Sequence, residues 1–216
     1  VDLAGLRSAY LRSRYEILFW SLLFTLVATP VCAALRIPHT VVELLMALNL
    51  LAAAVPLETR SARLIVLGFF LALLATRLAV PPDWFLRTTF VVGTLLGVFA
   101  AGAALRYALR GREVGREHVS AALGAYLLLG LVCGHLYWAM ERSVPGSVAM
   151  QAGETVFTIA KSVYFSFATL TTVGYGDITP RSELARGVAT LEAVLGQLYL
   201  AVLVARLLGR YVRTKA

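Results

Sequence analysis

Six stretches of this chain, 17–35, 41–57, 64–80, 88–105, 119–140 and 184–208, are dominated by apolar residues. A helix that crosses a bilayer needs about 20 such residues. Runs of this length, recurring along 216 residues, leave little chain from which to build a water-soluble core. Composition agrees, with 59% hydrophobic residues, 15% charged residues and a mean hydropathy of +0.78. Soluble domains carry roughly a quarter charged residues. One cleaved leader followed by a soluble domain is excluded by the number of runs. The expected fold is an all-α membrane protein with six transmembrane helices.

The net charge is +8, and 18 of the 20 basic residues are arginine. They cluster between the apolar runs, where they fix topology, so nucleic-acid binding is not expected. With both termini on the cytoplasmic side of a cell membrane, 13 basic residues fall inside and 7 outside. That bias is the one the positive-inside rule demands. The linker 106–118 carries Arg106, Arg110, Arg112 and Arg116 among Tyr107, Leu109 and Val114. It reads either as an interfacial amphipathic helix or as a solvated basic loop, and in both cases it meets anionic lipid headgroups. Cys32 and Cys133 lie inside apolar runs and read as packing residues, with neither a disulfide nor a metal site expected. Six residues follow Arg210, and no Walker loop, dinucleotide fingerprint or EF-hand pattern appears, so no cytosolic nucleotide- or calcium-binding domain is expected.

Between the last two runs lies a segment too short to span. Residues 155–170 form an apolar, helix-like run carrying Lys161, and lead straight into 169-TLTTVGYGDITP-180. A short helix that enters without crossing, followed by glycine-rich backbone, is a re-entrant loop. Irregular backbone at membrane depth is tolerated only where it is buried in protein or lines a water-filled path.

Thr172-Val173-Gly174-Tyr175-Gly176-Asp177 matches the TVGYGD signature of potassium channels, which is itself a standard example of an ion filter. Over 119–212 the chain resembles that family, in its six-helix, non-voltage-sensing prokaryotic type. The resemblance implies that Thr172, Val173, Gly174, Tyr175 and Gly176 form the filter. The carbonyls of the first four, with the Thr172 hydroxyl at the inner end, would replace the water shell of K+ ions, the only cofactor implied. Glycine at 174 and 176 supplies dihedrals that a Cβ forbids. Thr171 and Asp177 would support the filter from behind. Some family members carry a carboxylate at the pore-helix position held here by Ala168, so a Glu–Asp pair with Asp177 is not available. Such filters need four copies, and this chain has one, so a homotetramer is implied.

The last run follows the filter and so lines the inner pore. Gln197, Leu200, Val204 and Leu208 share one helical face, the candidate cavity wall and gate. Gly196 reads either as a hinge or as a close-packing residue. A carboxylate inside a membrane is costly, so Glu192 reads either as a modulator of gating that hydrogen-bonds the pore helix or the back of the filter, or as a protonated or satisfied packing residue. His135 reads as a hydrogen-bonded packing residue.

Residues 88–105, TTFVVGTLLGVFAAGAAL, carry no charge. A voltage sensor needs spaced arginines there. Domain organisation is therefore read as 1–112, a sensor-shaped four-helix domain and linker without gating arginines, and 113–216, the pore domain. The first domain is a scaffold or a lipid- or ligand-responsive module. The expected function is passive, potassium-selective conduction that is not voltage-gated. The alternatives are a weakly selective cation channel and a membrane enzyme or sensor with a re-entrant loop. With only His39, His118 and His135, no catalytic constellation is visible.

Overall fold

The computed structural model describes residues 3–35, 37, 41, 45, 49, 64, 68, 71, 83–110, 115–151, 153 and 156–215. Among these residues, five helices and two short strands are bounded, in the order α1 (Leu3–Ala34), α2 (Asp83–Arg110), α3 (Arg116–Ser143), β1 (Val148–Met150), α4 (Ile159–Leu170), β2 (Ile178–Pro180) and α5 (Glu183–Lys215). Apart from single residues, the spans expected at 41–57 and 64–80 lie outside the described residues. So do 111–114 of the basic linker. Among the described residues, three segments are long and apolar enough to cross a membrane: Ser13–Cys32, Arg116–Ser143 and Glu183–Arg206. The protein is a mostly helical integral membrane protein. Its described residues fall into two compact units, Val1–Leu128 and Leu129–Ala216.

In the first unit, α1 breaks at Ser13, whose φ of −118° and ψ of 17° are not helical. A restarted helix leaves its first N–H groups without partners. Two of them are met from α3: the N–H groups of Tyr15 and Glu16 donate to Oε2 and Oε1 of Glu117, at 3.1 and 3.3 Å. A carboxylate at a helix N-terminus also suits the helix dipole. The Arg14 guanidinium lies over the rings of Tyr15 and Tyr107, and Tyr107 stacks on both Tyr15 and His118. Further along α1, Ser21, Thr25 and Thr29 return their hydroxyl protons to carbonyls three or four residues back. Asn49 donates to Thr25 Oγ1 at 2.6 Å, so these buried polar groups are satisfied within the apolar run. Leu18 and Leu22 pack beside Gly124 of α3.

In the second unit, a row of small residues brings α3 onto α4. A Cβ on Gly130 would strike the Phe167 ring, and one on Gly134 would lie 2.9 Å from Val163 Cα. Glycines four apart share one helix face and let helix backbones approach closely. Tyr137, Val148, Phe157, Phe165, Ile178 and Ala189 form the core of this unit.

Helix α4 has 12 residues, about 18 Å of rise, well short of a bilayer's apolar core of about 30 Å. Its expected start at 155 moves to Ile159, because Thr158 caps it by accepting the Lys161 N–H. Helix α5 starts where Ser182 Oγ accepts the Ala185 N–H, and it runs on past the expected end at 208 to Lys215.

The strands are an addition to the expected all-α fold. β1 and β2 pair antiparallel, with Val148 opposite Pro180 and Met150 opposite Ile178. Glu141 accepts the N–H groups of Gly146 and Val148, which folds the chain back after α3. The Ser147 carbonyl then accepts the N–H groups of Arg181 and Ser182. The chain returning from 172–177 is thereby tied to the chain leaving α3.

Candidate functional site

Residues 171–177 leave the C-terminal end of α4 as irregular backbone. Thr171 caps the helix in the right-handed region, and its hydroxyl donates to Phe167 O at 2.6 Å. From there φ is positive at alternate positions: Thr172 (58°), Gly174 (55°) and Gly176 (80°). Thr172 is the one non-glycine residue with positive φ among the described residues. Left-handed backbone costs a residue with a Cβ roughly 1–2 kcal/mol, so the turn must be held by its surroundings.

The holding bonds run back into α4. The N–H of Thr172 donates to Thr169 O at 2.9 Å, and that of Gly174 donates to Ala168 O at 3.1 Å. A trans peptide sets its N–H and C=O on opposite sides, and no peptide among the described residues is cis. Bonding these N–H groups to α4 therefore turns the carbonyls of Thr171 and Val173 away from it. Val173 and Tyr175 are exposed in the single chain.

Asp177 ends the segment. Its Oδ2 accepts the Tyr164 hydroxyl at 2.9 Å, and its Oδ1 accepts the N–H of Ile178 at 3.0 Å. The Tyr164 ring also lies parallel to that of Tyr175, 6.1 Å away. Sequence reasoning considered Ala168 as the partner position and missed Tyr164. The available signal was helical phase, since 164 lies four residues, one turn, before 168.

Behind the segment, Glu192 of α5 is 1% exposed. Its carboxyl accepts the Tyr137 hydroxyl of α3 at 2.7 Å and the Ser166 hydroxyl of α4 at 2.5 Å. Ser166 Oγ also lies 2.7 Å from Gly130 O. One buried carboxyl thus joins three helices, and Tyr137 and Ser166 are two further residues that sequence reasoning did not name. His135 Nδ1 lies 2.8 Å from Leu131 O, one turn back in its own helix.

Gly196 is buried against the Leu170 carbonyl at the end of α4. The next residue, Gln197, donates from Nε2 to Thr172 Oγ1 at 3.1 Å. Leu200 and Val204 continue that face and are exposed, while the side chain of Leu208 lies outside the described set. The structure therefore gathers Thr171, Thr172, Gly174, Gly196 and Gln197 around the C-terminal end of α4, while Tyr175 and Asp177 lie beside Tyr164, further back along that helix. Glu192 stands one layer behind them.

Residues 122–213 match the family model described as an ion channel. Curated relatives include two proteins named as potassium channels and one named as a potassium channel regulatory subunit. An inward rectifier potassium channel from Paramagnetospirillum magnetotacticum is 36% identical over 91 residues, covering 42% of this chain and 26% of the relative. A two pore potassium channel from Oryza sativa subsp. japonica is 39% identical over 61 residues, covering 28% of this chain and 12% of the relative. A voltage-gated potassium channel regulatory subunit from Rattus norvegicus is 33% identical over 90 residues, covering 41% and 17%. The chain spans about a quarter or less of the length of these relatives. The ion-channel match takes in α4, the 171–177 segment, α5 up to residue 213 and α3 from residue 122.

Proposed function

We propose that four copies of this chain assemble into a potassium-selective channel that conducts passively, with residues 172–176 as its filter. The observation that carries this reading is the alternation of positive φ at Thr172, Gly174 and Gly176. Together with the N–H groups bonded back to α4, it frees carbonyls on the opposite side to face an ion. Backbone carbonyls are the ligands with which such filters replace hydration water. The C-terminal end of α4 points its partial negative charge toward the same place, which favours a cation.

One segment cannot encircle an ion. Tetramer formation is supported by the bareness of α5, on which Leu191, Val194, Leu195, Leu198, Val202 and Val204 are all exposed in the single chain. In the tetramer one face, with Gln197, Leu200, Val204 and Leu208, lines the cavity and its gate. Thr171 and Asp177 brace the filter, and Glu192 modulates gating through Ser166 and Tyr137.

The remaining assignments follow the same reading. Six helices cross the cell membrane with both termini cytoplasmic, and the inner arginines meet anionic headgroups. The pore domain is 113–216. Residues 1–112 serve as a scaffold and not as a voltage sensor, because 88–105 carries no charge to move.

Purified protein in liposomes tests this reading. Potassium-loaded vesicles should release K+ down its gradient, and Gly174→Ala should abolish release while the tetramer persists. Empty-vesicle rates from the wild-type protein across pH, lipid composition and voltage would overturn it.

A further inference from the structure

We infer that Gln197 is a positioning residue for the innermost ion site, holding the Thr172 hydroxyl oxygen in the orientation that faces a dehydrating potassium ion. This rests on the filter reading above. The starting point is the strain at Thr172: a β-branched residue at a φ of 58° occupies a conformation its Cβ disfavours. The side chain of a strained residue stays put only if something holds it.

The contact that does so comes from α5, 25 residues further along the chain. Gln197 Nε2 donates to Thr172 Oγ1 at 3.1 Å. A threonine hydroxyl has two lone pairs and one proton. The amide occupies one lone pair, and turning the side chain about its Cα–Cβ bond would break that contact. The oxygen itself therefore keeps a fixed place, with its proton and second lone pair confined to the two remaining positions, which a freely turning side chain would not give. Gln197 stands on a continuous helix whose neighbouring residue, Gly196, is seated against Leu170 at the end of α4. Support from a packed helix is more exact than support from a loop. Repeated four times, the arrangement makes a ring of four pre-aimed oxygens at the cavity end of the filter, and it makes Gln197 a determinant of how that end grips a cation.

Barium reports on such a ring, because it has nearly the radius of potassium and twice the charge. Gln197→Met keeps the side-chain length and removes the N–H donor, and Gln197→Leu is the second variant. Barium block is measured on reconstituted tetramers from each side of the membrane. One hydrogen bond of ordinary net strength corresponds to roughly a tenfold change in affinity. The expected result is that block from the cavity side weakens about tenfold in both variants. Block from the outer side, which meets the Tyr175 end first, should stay within about twofold. A general loosening of the filter would shift both sides together, and that result overturns the inference, as does no shift on either side. Loss of the tetramer in both variants assigns Gln197 to assembly and also overturns it. Wild-type tetramers that pass no K+ would remove the pore reading itself. Normal K+ flux with unchanged cavity-side block removes this inference alone.

Discussion

Gly196 lies so close to the Leu170 carbonyl that a Cβ at this position would collide with that oxygen, and it would stand 2.9 Å from Leu170 Cδ1. Helix α5 therefore meets the last turn of α4 backbone to backbone, just where the 171–177 segment departs. Of the two roles open to Gly196 from its place in the sequence, this contact supports close packing.

Gly196→Ala should then act through structure. Forcing one methyl into a filled site costs about 1–3 kcal/mol, once per subunit. The variant tetramer should melt at a clearly lower temperature in detergent than the wild type. A pure hinge would instead leave melting unchanged and alter only the open time of single channels.

Glu192 makes a second prediction. Truncation to alanine leaves the buried Tyr137 hydroxyl without its acceptor and leaves Ser166 only the Gly130 carbonyl, and an orphaned buried polar group costs about 1–3 kcal/mol. Glu192→Ala should destabilise the tetramer in thermal melting. Glu192→Gln keeps an acceptor for Tyr137 and a polar partner for Ser166, so it should melt close to the wild type. Equal melting of wild type, Glu192→Ala and Glu192→Gln would contradict the bracing role.

The pair Tyr164–Asp177 predicts non-additivity. Tyr164→Phe and Asp177→Asn each weaken or remove the bond at 2.9 Å, worth about 0.5–1.5 kcal/mol. Each should make the filter less stable when K+ is withdrawn, read as faster loss of flux activity on K+-free incubation. The double variant should lose little more than the worse single one, because both touch one contact. Full additivity would mean that the two residues act separately.

The parts visible in the sequence are those encoded by local rules. Apolar length marked α1, α3 and α5, and the glycines at 174 and 176 marked backbone that an ordinary helix cannot hold. The Ser13 break was not legible, because it is stabilised by Glu117, about a hundred residues away. The Tyr137–Glu192 and Ser166–Glu192 bonds span 55 and 26 residues, and they depend on the rotational phase of three packed helices. The expense of a membrane carboxylate pointed to Glu192, but nothing local pointed to its donors. The strands escaped notice because three residues each are too short for an alternating pattern. Their pairing depends on the Ser147 carbonyl and the Glu141 carboxylate.

If residues 172–176 free backbone oxygens matched to potassium, the pore must tell K+ from Na+. The most direct test is the reversal potential of reconstituted wild-type protein with K+ on one side and Na+ on the other. The expected potential lies near the potassium equilibrium value, moves with the K+ gradient and is indifferent to Na+. A reversal potential near zero under the same gradient would contradict it and favour a weakly selective cation pore.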